Sequence, residues 1–285
     1  MIQSMTGYGK EVVQLPSKTI SIEIKSLNSK GLDLNTRVPS TYREKELEIR
    51  DLLAKSLQRG KIDLSLYIEV TGENVTTILN ESAVKQYIQQ LAKVVNGDPV
   101  ELLKMAVRMP DAIKTEREEI DEKEYKAILK GIDKALEAIN QYRTDEGSVL
   151  EKDFLARSKT ISKLLEDVIS IDPERIDAVK ERLRKAVADI KEKVDENRFE
   201  QELIYYLEKY DITEEKVRLK NHLEYFDQAL SSEDSNGKKL GFITQEIGRE
   251  INTIGSKANY APMQQIVVEM KDELEKIKEQ ALNVL

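Results

Sequence analysis

The chain has 285 residues, 40% of them apolar, and no cysteine: enough for one large or two ordinary domains with real cores, but without disulfides, thiolate metal ligands or a cysteine nucleophile. A net charge of −8 argues against indiscriminate binding to nucleic acid, so any activity on RNA has to concentrate positive charge locally. Neither a charged start leading into an apolar stretch nor a run of about 18 apolar residues occurs, which sets aside export and membrane spanning and points to the cytoplasm.

At the N-terminus, Gly7 and Gly9 flank Tyr8 without the spacing or following helix of a nucleotide loop, so a strand end or bulge is expected, with Tyr8 at an edge or stacked on a base. Ile20, Ile22 and Ile24, then Leu32 and Leu34, alternate with polar residues and predict half-buried strands. A helix is expected over 42–58, followed by a strand over 62–70 with Ile62, Leu64, Leu66, Ile68 and Val70 in alternation. From Lys25 to Lys61 there are nine Lys/Arg against five acids, so this segment is the local basic concentration. Within it, Arg59-Gly60-Lys61 is a tight junction that can offer a backbone N–H and two cations to a phosphate, although the same residues also describe an ordinary helix end and strand start. Helices are expected at 80–95 and at 99–109, the first opened by Asn80/Ser82 and the second by Asp98-Pro99. Charged amphipathic stretches follow over about 121–168 and 173–209, split at Ile171-Asp172-Pro173; their heptad-like spacing suits extended hairpins or oligomer contacts.

The C-terminal part carries the chemistry. A helix over 212–230 displays Leu219, Leu223, Phe226 and Leu230, a turn spans 231–237, and a second helix displays Leu240, Ile243, Ile247, Ile251 and Ile254. A third starts after Asn259 and Pro262, with Met263, Val267, Met270, Leu274 and Ile277 inward. A hairpin with so short a loop packs antiparallel. Counted from Asp234, the only histidine, His222, is 12 residues before and Glu246 12 after, while Arg218 comes level with Glu250. Glu246 and Glu250 at i,i+4 share a helix face, and counting from the 256–261 turn brings Glu269 near their level. One imidazole and up to three carboxylates suit a hard or borderline divalent ion such as Mn²⁺ or Mg²⁺. The same residues also fit a solvated charged face, a packing histidine and an Arg218–Glu250 ion pair.

The stretch RLKNHLEYF…GKKLGFITQEIGREINTIGSKAN over 218–259, with SMTGYGK at 4–10, IEIKSLNSKGLDLNTRVPS at 22–40 and RGKIDLSLYIE at 59–69, resembles the YicC/YloC family of bacterial endoribonucleases at both ends of the chain. The resemblance implies a divalent-metal-dependent endoribonuclease, usually manganese-stimulated, assembled as a homohexamer. It places the family motif on Arg218, His222, Gln245, Glu246, Arg249, Glu250, Asn252, Ser256, Lys257 and Glu269. The chain departs at Gly248, where the family often has Asn, and at Ser29-Lys30, where many members have His-Arg, so an RNA contact there rests on Lys30.

The expected architecture is α+β and predominantly helical: a small N-terminal mixed sheet with a helix over 1–75, a long helical middle over 76–210, and a C-terminal helical hairpin plus helix over 211–285. The expected function is metal-dependent cleavage of RNA phosphodiesters, with a non-catalytic RNA-binding adaptor and a helical scaffold as the competing classes. Glu246, Glu250, Glu269 and His222 are the candidate ligands. His222, Glu246 and Glu250 are the candidate catalytic groups. Lys30, Arg37, Arg59, Lys61, Arg218, Arg249 and Lys257 are the candidate RNA contacts.

Overall fold

The structure, a computed structural model, describes residues 2–70, 77–115, 120–189, 196–232 and 237–285. Four N-terminal strands, β1 (Gly7–Gln14), β2 (Lys18–Leu27), β3 (Leu32–Arg37) and β4 (Gly60–Val70), form one mixed sheet in the order β1-β2-β4-β3. The pairs β1/β2 and β2/β4 are antiparallel, and β3 runs parallel to β4. A parallel neighbour needs a crossover, here a 3-10 turn (Ser40–Lys45) leading into α1 (Glu46–Ser56), where one helix over 42–58 was expected.

The register places Ile20, Ile22 and Ile24 opposite Ile68, Leu66 and Leu64, so strand alternation gathers the aliphatic residues on one face. That face is covered by Ile49, Leu53 and Leu57 from α1 and by Tyr125, Ile128, Ile132, Ala135 and Ile139 from α4 (Glu122–Asp189). Each fully buried aliphatic side chain contributes roughly 1.5–3 kcal/mol. Gly7 opens β1, in keeping with the strand end expected at the Gly7-Tyr8-Gly9 element, and the strand continues to Gln14 as an edge strand pressed against α4. A Cβ on Gly9 would lie 2.1 Å from the Ala135 carbonyl oxygen, so only glycine permits this approach.

A small unit follows, with β5 (Thr77–Leu79), α2 (Glu81–Val94), α3 (Pro99–Ala106) and β6 (Ile113–Thr115), the two strands pairing antiparallel. As the sequence indicates, Asn80 caps α2 by accepting from the Ala83 N–H, and Pro99 opens α3.

The 68 residues of α4 make a helix about 100 Å long. Its second half supplies Phe154, Ile161, Leu165 and Val168 to a separate core shared with α6 (Thr213–Ser231), α7 (Gly237–Lys257) and α8 (Ala261–Ala281). The expected split at Ile171-Asp172-Pro173 does not occur: α4 runs through Pro173. Proline removes one backbone donor there. Buried contacts hold the stretch: Asp172 accepts from Arg175 Nε and Lys216 Nζ, both at 2.7 Å, while Arg175 Nη1 donates to the Tyr210 carbonyl. The last part of the expected 173–209 helix is α5 (Glu196–Lys209); residues 190–195, and 233–236 of the expected turn, lie outside the described residues.

The chain ends meet. Met5 N–H donates to the Asn283 carbonyl at 2.7 Å and Leu285 N–H to the Gln3 carbonyl at 2.9 Å, tying the N-terminal segment to the tail after α8.

Between α4 and α6, Asp227 Oδ1 and Ser158 Oγ are buried without a hydrogen-bond partner. Ser158 faces Asp227 without reaching hydrogen-bond geometry, and burial pushes the Asp227 carboxyl above its ordinary value. A carboxyl raised in the folded state costs stability once ionised, so the cost is present at neutral pH and disappears as pH falls through the raised value towards about 3.9. Asp227→Asn should therefore stabilise the protein in urea denaturation at pH 7, with the gain shrinking as the pH is lowered through that window. An equal gain at both ends of the range would contradict this.

Candidate functional site

The level of α7 against α6 is set by one ion pair. Lys257 Nζ donates to Glu215 Oε1 at 2.7 Å and to the Asp211 carbonyl at 2.9 Å. Two turns back along α7 from Lys257 is Glu250, and two turns on along α6 from Glu215 is His222, so both side chains project towards the same α6/α7 seam. Lys257 also reaches one turn before Glu215, to the Asp211 carbonyl, and Tyr225 of α6 lines one hollow with Phe242 of α7, contacts that fit the level counted from Asp234, with His222 beside Glu246 and Arg218 beside Glu250.

Glu250 is only 4% exposed, yet no hydrogen bond or ion pair engages its carboxylate among the described residues. Neither carboxylate oxygen is fully buried, so the tip of the side chain reaches the surface at the seam. His222 is half-buried. Glu246, one turn before Glu250 on the same flank, is exposed and lies 3.9 Å from Arg249 Nη1.

Glu269 does not join them. Four residues further along α8, Glu273 accepts from Arg157 of α4 at 2.9 Å, so the ridge carrying Glu269 turns towards α4. The side of α8 that meets α7 carries Val267, Leu274 and Lys278, the nearest neighbours a Cβ on Gly255 or Gly248 would encounter. Among the described residues no group of three or more His, Asp or Glu side chains is close enough to hold a metal ion, so the expected convergence of three carboxylates is not formed within one chain. The donor types still fit a hard divalent ion: Mg²⁺ and similar ions are commonly held by one or two carboxylates, the remaining positions going to water and substrate phosphate.

The neighbouring residues of α7 form a second face. Gln245, Arg249, Asn252 and Ser256 recur along one ridge and, with Lys278 of α8, line a shallow open groove. An asparagine in place of Gly248 would press on Leu274 and Lys278, so the glycine leaves this groove wider. The periodicity that buries Ile247, Ile251 and Ile254 on the opposite side creates this exposed ridge. Sequence reasoning did not foresee Lys278 in the groove, because a lysine in the last turn of a helix carries no signal of its own.

The cations expected to meet RNA divide. Lys30 and Lys61 are exposed at one end of the sheet, where β3 begins opposite Gly60. Arg59 Nε donates to the Ser29 carbonyl at 2.8 Å, and Gly60, at φ 125°, donates its N–H to the Gly31 carbonyl, so the basic turn is braced against the 29–31 loop. Arg37 pairs with Ser65 further along β3, about 16 Å from that end. Arg218 is ion-paired with Glu214 on its own helix and Lys257 with Glu215, while Arg249, 72% exposed, is the open cation beside the groove.

The brace under the turn is Arg143 of α4, buried and with no carboxylate partner among the described residues. Its Nη2 donates to the Met5 and Arg59 carbonyls and to Ser26 Oγ, and burial lowers its pKa from the ordinary value. Asn28 Nδ2 donates to the Leu282 carbonyl at 2.7 Å, so this end of the sheet lies beside the C-terminal end of α8, one turn beyond Lys278.

Glu215 is buried, and its second oxygen lacks a partner, so its charge depends on Lys257. Lys257→Met should destabilise the protein by about 1–3 kcal/mol, less than the 3–5 typical of a fully buried pair because Lys257 is one-third exposed. Adding Glu215→Gln should restore most of the loss in urea denaturation. No restoration would mean that the seam level is set elsewhere.

Among the described residues no helix is long and apolar enough to cross a membrane. Residues 2–152 match the family description "Endoribonuclease YicC-like, N-terminal region", and residues 168–285 match "Endoribonuclease YicC-like, C-terminal". The chain is 32% identical over 293 aligned positions to a probable endoribonuclease YicC of Clostridioides difficile (strain 630), and 31% identical over 287 to one of Haemophilus influenzae (strain ATCC 51907 / DSM 11121 / KW20 / Rd). Each alignment covers all of both chains. With both halves matched, and with relatives above 30% identity along the full length, the chain belongs to the YicC-like endoribonuclease family.

Proposed function

We propose that this protein is a divalent-metal-dependent endoribonuclease whose cutting site is the seam between α6 and α7. The observation that carries the reading is the α6/α7 seam, towards which Glu250, without a hydrogen bond or ion pair among the described residues, and the chain's only histidine both project. The names borne by its relatives supply the reaction class.

Glu250 and Glu246, one turn apart on α7, would hold Mn²⁺ or Mg²⁺ as a two-carboxylate set completed by water and substrate phosphate; Glu269 is left out because its ridge faces α4. The ion supplies charge neutralisation at the phosphate and activation of the attacking water. His222, on the seam, is suited to move a proton to or from the reacting oxygens. Arg249 and the polar ridge Gln245, Asn252 and Ser256 orient the phosphate backbone in the groove beside α8.

RNA reaches the seam from the basic end of the sheet. Lys30 and Lys61 flank the braced turn, and Asn28 links that end to α8 one turn beyond Lys278, so cations continue from the sheet into the groove. This local run lets an acidic chain engage RNA, since clefts focus the field whatever the net charge. Self-association, with a hexamer as the proposed size and the cytoplasm as the setting, is supported by apolar side chains left open on the β5–β6 unit: Val94, Val95, Val100, Met105 and Ile113.

Labelled RNA incubated with Mn²⁺ should be shortened internally and spared when EDTA is added. Glu250→Gln should reduce cleavage at least roughly a hundredfold, more than the loss of an outer-shell partner, while binding and assembly persist. Binding without metal-dependent shortening would identify an adaptor instead, and full activity in Glu250→Gln would remove the seam as the site.

A further inference from the structure

One helical turn along the seam from the acids, its side chains change from carboxylates to aromatics. Tyr225 stands three residues after His222 on α6, and Phe242 four residues before Glu246 on α7, so both lie one turn nearer the hairpin loop. They are 49% and 59% exposed. Together with Lys238, Lys239 and Ile243 they line a hollow of about 300 Å³, and Lys239 Nζ stands 5.9 Å from the centre of the Tyr225 ring.

Two open aromatic rings beside two lysines are out of place on a merely solvated face, where charged and small polar residues need no covering. The combination matches what single-stranded nucleic acid requires: a ring for the base to stack on and an ammonium for its phosphate. The hollow continues the seam without an intervening element, and Phe242 lies eight residues, about 12 Å, along α7 from Glu250, within reach of a neighbouring nucleotide of an RNA bound there.

We propose that this hollow is a nucleobase subsite: an unpaired base of the RNA packs on Tyr225 and Phe242, with its phosphate held by Lys238 and Lys239. The proposal rests on the seam being the cutting site and adds a substrate class to it. A base inside a duplex keeps its faces stacked on its neighbours and cannot enter, so RNA is engaged at loops, bulges and single-stranded ends.

The test is a binding measurement on the full-length chain in EDTA, where no cleavage occurs, by fluorescence anisotropy. It uses a short single-stranded RNA and an abasic oligomer of the same length. Tyr225→Ala with Phe242→Ala should weaken binding of the RNA roughly tenfold while leaving the abasic oligomer unchanged, and Tyr225→Phe should retain parental affinity. Equal weakening on both oligomers, or none, overturns the subsite. A smaller particle by light scattering for the double variant also overturns it, by assigning the aromatics to a contact with a second copy of the chain. Because these readouts need neither metal nor turnover, they separate failure of the subsite from failure of the cutting site, which Glu250→Gln tests.

Discussion

The continuity of α4 is the constraint on which the rest of the structure depends. One helix of 68 residues forms a wall of both cores, so the sheet that carries the basic turn and the bundle that carries the acidic seam are fixed to the same rod. The rod fits closely because glycines remove side chains where backbones meet, as at Gly9 against Ala135. The chain ends close the arrangement from the other side, pairing around Met5 and Asn283.

Arg143 sits where these constraints meet. Its guanidinium is buried without a carboxylate, and its hydrogen bonds go to backbone carbonyls and a serine hydroxyl on three separate segments. A buried cation held only by dipoles, here with its Nε left without a partner, contributes little net stability, but it fixes the geometry of the segments it joins. One of those segments is the Arg59-Gly60-Lys61 turn. Phosphate-binding cations are therefore presented from a braced loop, which limits the ordering entropy lost when RNA binds.

Much of this was legible in the sequence. The alternation at Ile20–Ile24 and 62–70 gave β2 and β4, and the 3–4 spacing gave α6, α7 and α8 close to their observed limits. Only the end of β1 was read as strand, because glycines lower strand propensity, whereas here they answer a tertiary demand from α4. Pro173 was read as a break because its local effect is disruptive, and the buried Asp172–Arg175–Lys216 contacts that hold the helix through it join segments distant in sequence. In the candidate site, the residues of α7 could be named from their spacing and their level against α6 counted from the loop, but the direction of Glu269 could not. That level rests on contacts such as Lys257 with Glu215 and the Asp211 carbonyl, and Glu269 is turned away by a contact on another side of the bundle, Glu273 with Arg157.

What unites the fold and the proposed chemistry is an unsatisfied charge. Glu250 is held by the bundle with no hydrogen bond or ion pair on its carboxylate among the described residues, which under the proposed reading leaves it open to a divalent ion. Because the chain has one histidine, a tag-free sample carrying ¹³C-labelled histidine gives a single imidazole reporter at this position. Titration with Mn²⁺ should selectively broaden the His222 imidazole resonances at substoichiometric metal, and Glu250→Gln should abolish that broadening. Imidazole resonances that stay sharp in the parent protein through a full equivalent of Mn²⁺ would contradict a metal site in the α6/α7 seam.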